Sequence, residues 1–270
     1  MRFHLLITKL AANSRTMVNI AERHQFILSK IQKEGHVGVL DLCKELDVSS
    51  VTIRKDLRLL EEKNLLFRTH GGATLTDTYT VDRNVNEKEK LQSGEKSRIG
   101  IAGAKLIQPN DSIIIASGTT VLALAKNIQP KESLTVITSA IHVAQELLRQ
   151  SEVEVLLLGG LLRKSSSSVM GPYAEQILAD FFCSKLYLGV DGIDLNFGIT
   201  TTNGLEAHLN RRMIAVSHKV IVLADSTKFG KRGFGRICGV EEIDEIITDH
   251  GISDHIKAQL EAMSIKVTIV

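Results

Sequence analysis

Apolar positions along the chain follow two rhythms, one on each side of about residue 75. Ile20, Ile27 and Ile31 recur at spacings of seven and four, which predicts an amphipathic helix over Asn19 to Glu34, stopped by Gly35. Leu42 and Leu46 stand four apart on a second helix, about 39–46, with Asp47-Val48 as the turn after it. Ile53, Leu57 and Leu60 form an i, i+4, i+7 stripe on a third helix, for which Ser49 is a suitable N-cap. Ser50, Thr52, Arg54, Lys55 and Arg58 fall off that stripe. In LLFRTHGGATL, two short apolar runs flank His70-Gly71-Gly72-Ala73 and predict a hairpin.

Beyond residue 96, short apolar runs alternate with helical patterns. SIIIA (112–116), LTVIT (134–138), EVLLL (154–158), KLYLG (185–189), KVIVLAD (219–225), IDEIIT (243–248) and IKVTIV (265–270) read as strands. Helical patterns cover about 96–106, 119–126, 140–149, 172–182, 205–217 and 253–263. Such alternation predicts a mostly parallel sheet covered on both faces, an α/β domain. Residues 76–95 are polar, lack a clear apolar period and are expected to be a linker, helical near its end. Residues 1–18 are expected to be a disordered extension, with Met17 as an alternative start. The predicted order is therefore extension (1–18), winged helix-turn-helix (19–75), linker (76–95) and α/β domain (96–270).

Charge sharpens this division. The formal net charge is only +2, but residues 1–74 hold 12 Lys and Arg against 8 Asp and Glu, whereas the remainder holds 21 against 23. The basic excess lies in the helix-turn-helix segment, where a phosphate-facing module needs it. Aromatics make up 4% with no Trp, which disfavours a single-strand stacking platform. Cys43, Cys183 and Cys238 are far apart and form no CxxC, as expected for a reduced cytoplasmic protein without a disulfide framework or zinc site. No apolar run approaches the ~20 residues of a membrane helix. Gly94-Glu95-Lys96-Ser97 glances at a phosphate loop but lacks the upstream glycine and a preceding strand, so it is set aside.

Two sets of candidate residues follow. A helix-turn-helix offers the N-terminal end of its last helix to the DNA major groove. That singles out Ser49, Ser50, Thr52, Arg54, Lys55 and Arg58, with Arg68 and His70 near the wing and its phosphates. A plain three-helix bundle with a solvated basic face accounts less well for the ordered set of turn, Ser cap, basic helix and Gly-Gly hairpin. In the second half, ligands of parallel sheets gather at strand C-termini. Ser117, Gly118, Thr119 and Thr120 lie between a strand and a helix start, a combination suited to a phosphate. Ser139, Gly159, Gly160, Gly171, Asp191, Gly192, Glu206 and Lys228 can converge on the same rim. Asp191 and Glu206 would accept from sugar hydroxyls, and Lys228 would face the phosphate.

VSSVTIRKDL and LFRTHGGATL resemble the signature and wing of the DeoR-type family of bacterial regulators, V-S-P-x-T-I-R-R-D-L and L/I-x-R-x-H-G-G-A. Ser50 replaces the usual Pro, and Lys55 replaces the second Arg, keeping the charge without the bidentate fork. SGTT, LGG, GVDGID with GITT and EA, and ADSTKFG resemble the sensor domain of that family, with Ser117 where an acidic residue often stands. The resemblance spans about residues 20–250. It implies a sensor fold similar to ribose-5-phosphate isomerase. It implies a repressor of carbohydrate-metabolism genes that binds double-stranded operator DNA as a homo-oligomer, dimer or tetramer. Its effector would be a phosphorylated sugar, with no cofactor, metal or membrane partner. The competing reading is a sugar-phosphate isomerase or deaminase with Asp191 as general base. It is disfavoured because Leu195 stands where the isomerase pattern has Glu.

Overall fold

In a computed structural model of the protein, residues 19–63, 65–69, 71–74, 80–130 and 132–270 are described. The expected extension over 1–18 and His70 lie outside them. The chain divides at residue 75 into two compact units.

In the N-terminal unit, α1 (Ile20–Glu34) opens on a reciprocal cap: Asn19 Oδ1 accepts from Glu22 N, and Glu22 Oε2 accepts from Asn19 N. After β1 (His36–Gly38) and α2 (Val39–Leu46), Asp47 turns the chain in the left-handed region, which Asp tolerates. Ser49 Oγ then accepts from Thr52 N at 3.2 Å and starts α3 (Ser50–Glu62). β2 (Phe67–Thr69) and β3 (Gly72–Thr74) form the expected hairpin, and β1 adds a third antiparallel strand in the order β1-β3-β2. The core joins Ile27, Ile31, Leu42, Ile53, Leu57, Leu60 and Ala73.

Ile20 corrects the expected stripe, because it is 49% exposed. The first turn of α1 instead sets Arg23 and His24 over buried Asp56. The Arg23 guanidinium donates to its two oxygens at 2.7 and 3.1 Å, and His24 Nε2 lies 3.3 Å away.

The C-terminal unit begins with α4 (Val85–Lys90), α5 (Ser93–Ala104), β4 (Ser112–Ile115), α6 (Thr119–Ala125), β5 (Leu134–Thr138), α7 (Ile141–Leu147) and β6 (Val153–Leu157). A hairpin, β7 (Leu161–Arg163) with β8 (Ser168–Met170), leads to α8 (Pro172–Leu178) and β9 (Cys183–Gly189). Then come β10 (Gly192–Asp194), β11 (Gly198–Thr201), α9 (Gly204–Ala215), β12 (Ser217–Leu223) and β13 (Gly235–Cys238). β14 (Glu245–Thr248), α10 (Asp254–Ala262) and β15 (Lys266–Ile269) finish it. Seven strands pair in parallel in the order β15-β14-β12-β9-β4-β5-β6, and β10-β11-β13 form a small antiparallel sheet. The main core packs Ile113, Ile115, Val121, Leu124, Val136, Tyr187, Ile221 and Ile247.

The strand order decides where a ligand belongs. From β4 the chain moves outward through β5 and β6, then returns to lay β9 on the other side of β4. The switch point is therefore between β4 and β9, and the crevice beyond their C-terminal ends is the expected binding position.

The described part of the segment expected as a linker (76–95) packs on the C-terminal unit, and α4 is the helix expected near its end. Residues 80–92 run as a strap across the C-terminal unit. Thr80 N donates to Arg232 O at 2.8 Å, Val85 N donates to Ser165 O at 2.7 Å, and Val85 is buried. Hydrogen bonds and ion pairs hold this segment, with little apolar burial, so its polar composition conceals its order.

Candidate functional site

On α3 the four residues Val51, Arg54, Lys55 and Arg58 are exposed and spaced i, i+3, i+4, i+7, so they share one face opposite Ile53, Leu57 and Leu60. Ser49 is exposed at the cap, and Ser50 and Thr52 are half-buried. Arg58 Nε also reaches Glu62 at 3.1 Å along the helix surface. Arg68, expected near the phosphates, is turned to α3: its N–H donates to Glu61 Oε1 at 3.0 Å and its guanidinium lies 3.8 Å from Glu61 Oε2. Arg54 and Lys55 thus carry most of the outward charge of this face.

In the C-terminal unit a cavity of about 240 Å³ opens at the switch point. Ser117, Gly118, Thr119 and Thr120 form its floor after β4. Gly118 has φ 133°, a conformation L side chains rarely adopt. Beside it, a Cβ on Gly189 would sit 2.8 Å from Ser117 O, so two glycines let the loops after β4 and β9 close on each other. The first-turn N–H groups of α6, which no helix satisfies internally, lie beside the Thr119 and Thr120 hydroxyls.

Among the described residues, six basic side chains line this cavity, Arg83, Lys88, Lys96, Arg163, Lys228 and Lys231, against three carboxylates, Asp191, Glu206 and Asp225. Asp191 is held from several sides. Lys88 Nζ donates to Oδ1 at 2.8 Å, and Thr201 Oγ1 and Thr202 N donate to Oδ2 at 3.1 and 3.2 Å. Burial pushes the Asp191 pKa up, but Lys88, Lys228 and Thr201 outweigh it, and the carboxyl settles below its ordinary value. Glu206 shifts the other way. Burial raises it, and neighbouring Asp191 adds to the rise against the Ser117 hydroxyl and Arg163.

Arg163 bridges the strap to the floor. It lies 2.5 Å from Glu206 Oε2 and 2.6 Å from Asp82 Oδ2, and Asp82 also accepts from the Thr202 and Ser165 hydroxyls, each at 3.1 Å. Lys96 is buried and donates to Lys88 O at 2.5 Å and Leu91 O at 2.6 Å, closing the C-terminal end of α4. Burial pushes its pKa down to about 8. A dense cationic lining with hydroxyls and two differently tuned carboxyls suits an anionic polyol.

The comparisons with known proteins agree on what carries this cavity. A model described as the DeoR C terminal sensor domain matches residues 91–250, and one described as the DeoR-like helix-turn-helix domain matches residues 23–79. The chain belongs to the DeoR family. A protein of Escherichia coli O157:H7 named an aga operon transcriptional repressor is 37% identical over 96% of this chain and 97% of its own. The HTH-type transcriptional repressor GlcR of Bacillus subtilis (strain 168) is 35% identical over 84% of this chain and 88% of its own. A ribose 5-phosphate isomerase from Methanocaldococcus jannaschii overlays 50% of this chain and 53% of its own at 12% identity and a TM-score of 0.36, too remote to build on.

As a DeoR-family member the chain is a DNA-binding transcription regulator and not an enzyme. Asp191, the general base of the competing isomerase reading, is paired here with Lys88 and held below its ordinary pKa. Among the described residues no helix is long and apolar enough to cross a membrane, and no His, Cys, Asp and Glu cluster could hold a metal.

Of the residues expected at this DeoR sensor site, Ser117, Gly118, Thr119, Thr120, Asp191, Glu206 and Lys228 line the cavity. Ser139, Gly159, Gly160, Gly171 and Gly192 are not on its lining. Four of them serve the backbone. Ser139 O accepts from Val169 N, Gly160 lies against Met170 O, Gly171 precedes α8, and Gly192 lies against Lys231 O. Lys88, Lys96 and Arg163 were missed. Lys88 and Lys96 sit in or beside the polar segment expected as a linker, and Arg163 stands with Lys164 at the head of a Ser-rich run. No spacing in the sequence marks their long-range partners.

Proposed function

We propose that this protein represses carbohydrate-metabolism genes and that a phosphorylated sugar in the C-terminal cavity controls its grip on operator DNA. The observation carrying the effector class is the cavity lining, which among the described residues has six basic side chains around hydroxyls and three hydrogen-bonded carboxyls. A phosphate matches the side with Thr119, Thr120, Lys96 and Lys228, and sugar hydroxyls match Asp191, Glu206 and Arg163. The names of the relatives, an aga operon repressor and the repressor GlcR, support a repressing sign. Double-stranded DNA is met by α3 from two copies of the chain, since helix-turn-helix readers pair two half-sites one helical turn or a multiple of it apart. Its place of action is the cytoplasm, where operator DNA is found in bacteria, and it needs no cofactor.

An effector moves the equilibrium only as far as it binds one DNA-binding state better than the other. The test is a thermal-shift and calorimetric panel of hexose, pentose and amino-sugar phosphates beside their unphosphorylated sugars, followed by operator binding with each hit. The expected result is stabilisation by a phosphorylated member alone, with a matching change in operator affinity. Binding of the free sugars as tightly as their phosphates would overturn the proposed effector class.

A further inference from the structure

The basic face of α3 begins with a residue that neither charge nor core packing explains. Val51 is 72% exposed, takes no part in the core of its unit, and is the second residue after the Ser49 cap. A β-branched residue on a solvent-facing helix position is poorer for the helix than Ala. Folding therefore does not ask for it. Its neighbours on the same face, at i+3, i+4 and i+7, are Arg54, Lys55 and Arg58. The face is thus an apolar tip followed by cations, complementary to a polyanion that carries an apolar group at one point.

We propose that Val51 is a specificity-determining residue that packs on the 5-methyl group of a thymine in the operator major groove. The N-terminal residues of a recognition helix contact base edges, while cations further along reach phosphates. Valine has no hydrogen-bonding group, and among the base edges of the major groove only thymine presents a methyl. Arg54 and Lys55, one turn on, hold the helix in the groove, and Val51 reads one step beside them. The assignment rests on α3 being the DNA-reading helix.

The experiment selects binding sites from random duplexes with the full-length chain, then scans the selected site by replacing each thymine with uracil, which removes only the methyl. One replacement per half-site should weaken wild-type binding about three- to fivefold, the worth of one buried methyl group. In Val51→Ala the same replacement should cost nothing, and 5-methylcytosine at that step should bind better than cytosine only with Val51 present. A uracil penalty that persists in Val51→Ala, or a site with no methyl-dependent step, overturns the assignment while leaving DNA reading intact. Failure to select any site would overturn both. Because Val51 is exposed, Val51→Ala should melt within about a degree of wild type, and a large drop in melting temperature would also contradict the role.

Discussion

Lys88 Nζ stands 2.8 Å from Asp191 Oδ1, tying the strap before α5 to the loop after β9 across the mouth of the cavity. Lys88→Ala removes a cation from an anion site and leaves a largely buried carboxylate without its main partner. Affinity for the phosphorylated effector should fall at least tenfold by calorimetry, and stability should drop by about 1–3 kcal/mol. Unchanged affinity would mean that Lys88 serves the strap alone.

Lys96 gives the site a pH dependence with a definite sign. Its pKa is lowered to about 8 by burial, so the ammonium is present below that value and lost as pH rises through it. Effector affinity should be flat from pH 7 to 7.5 and decline about tenfold by pH 9. Lys96→Met, which keeps the stem, should bind more weakly at pH 7 and lose this decline. The linked stability runs oppositely. A base with a depressed folded pKa holds fewer protons than the unfolded chain between pH 8 and the ordinary lysine value of 10.5, so this group favours folding as pH rises through that window.

Glu206 and the phosphate side of the cavity should separate experimentally. Glu206→Gln keeps an oxygen for the Ser117 hydroxyl but removes the charge facing Arg163. Binding of the phosphorylated sugar should weaken, while binding of inorganic phosphate should stay within about twofold. Equal loss of both would place Glu206 in the anion contact.

Asp56 should matter only to the N-terminal unit. It is buried between Arg23 and His24, and Asp56→Ala removes the carboxylate that accepts from both. The expected cost is about 3 kcal/mol by denaturant unfolding of that unit. Effector affinity should not change.

What the sequence made legible was whatever repeats locally. The β-branched runs from Ile113 to Ile115 and from Val220 to Val222 announce buried strands, and Ser49 before Ile53, Leu57 and Leu60 announces a capped helix. The SGTT loop was legible because a glycine and hydroxyls between strand and helix have a local chemistry. Lys88, Arg163 and Asp82 were not, because their meaning lies in partners between 39 and 120 residues away. The strap shows the same limit. Its order comes from ion pairs and backbone bonds to distant loops, which leave no apolar period behind. Ser139 and Gly159 lie off the cavity lining for the opposite reason: a strand end is a common place for a ligand and also a common place for a plain connection between elements.

Operator binding by fluorescence anisotropy, with and without the phosphorylated effector, in wild type, Arg54→Ala and Thr119→Ala is the most direct test of a chain whose input is the cavity and whose output is α3. Arg54→Ala should bind operator at least tenfold more weakly while taking up effector normally. Thr119→Ala should bind operator as wild type does and no longer respond to effector. If each substitution impairs operator binding and effector uptake to the same degree, the division between sensing cavity and reading helix is wrong.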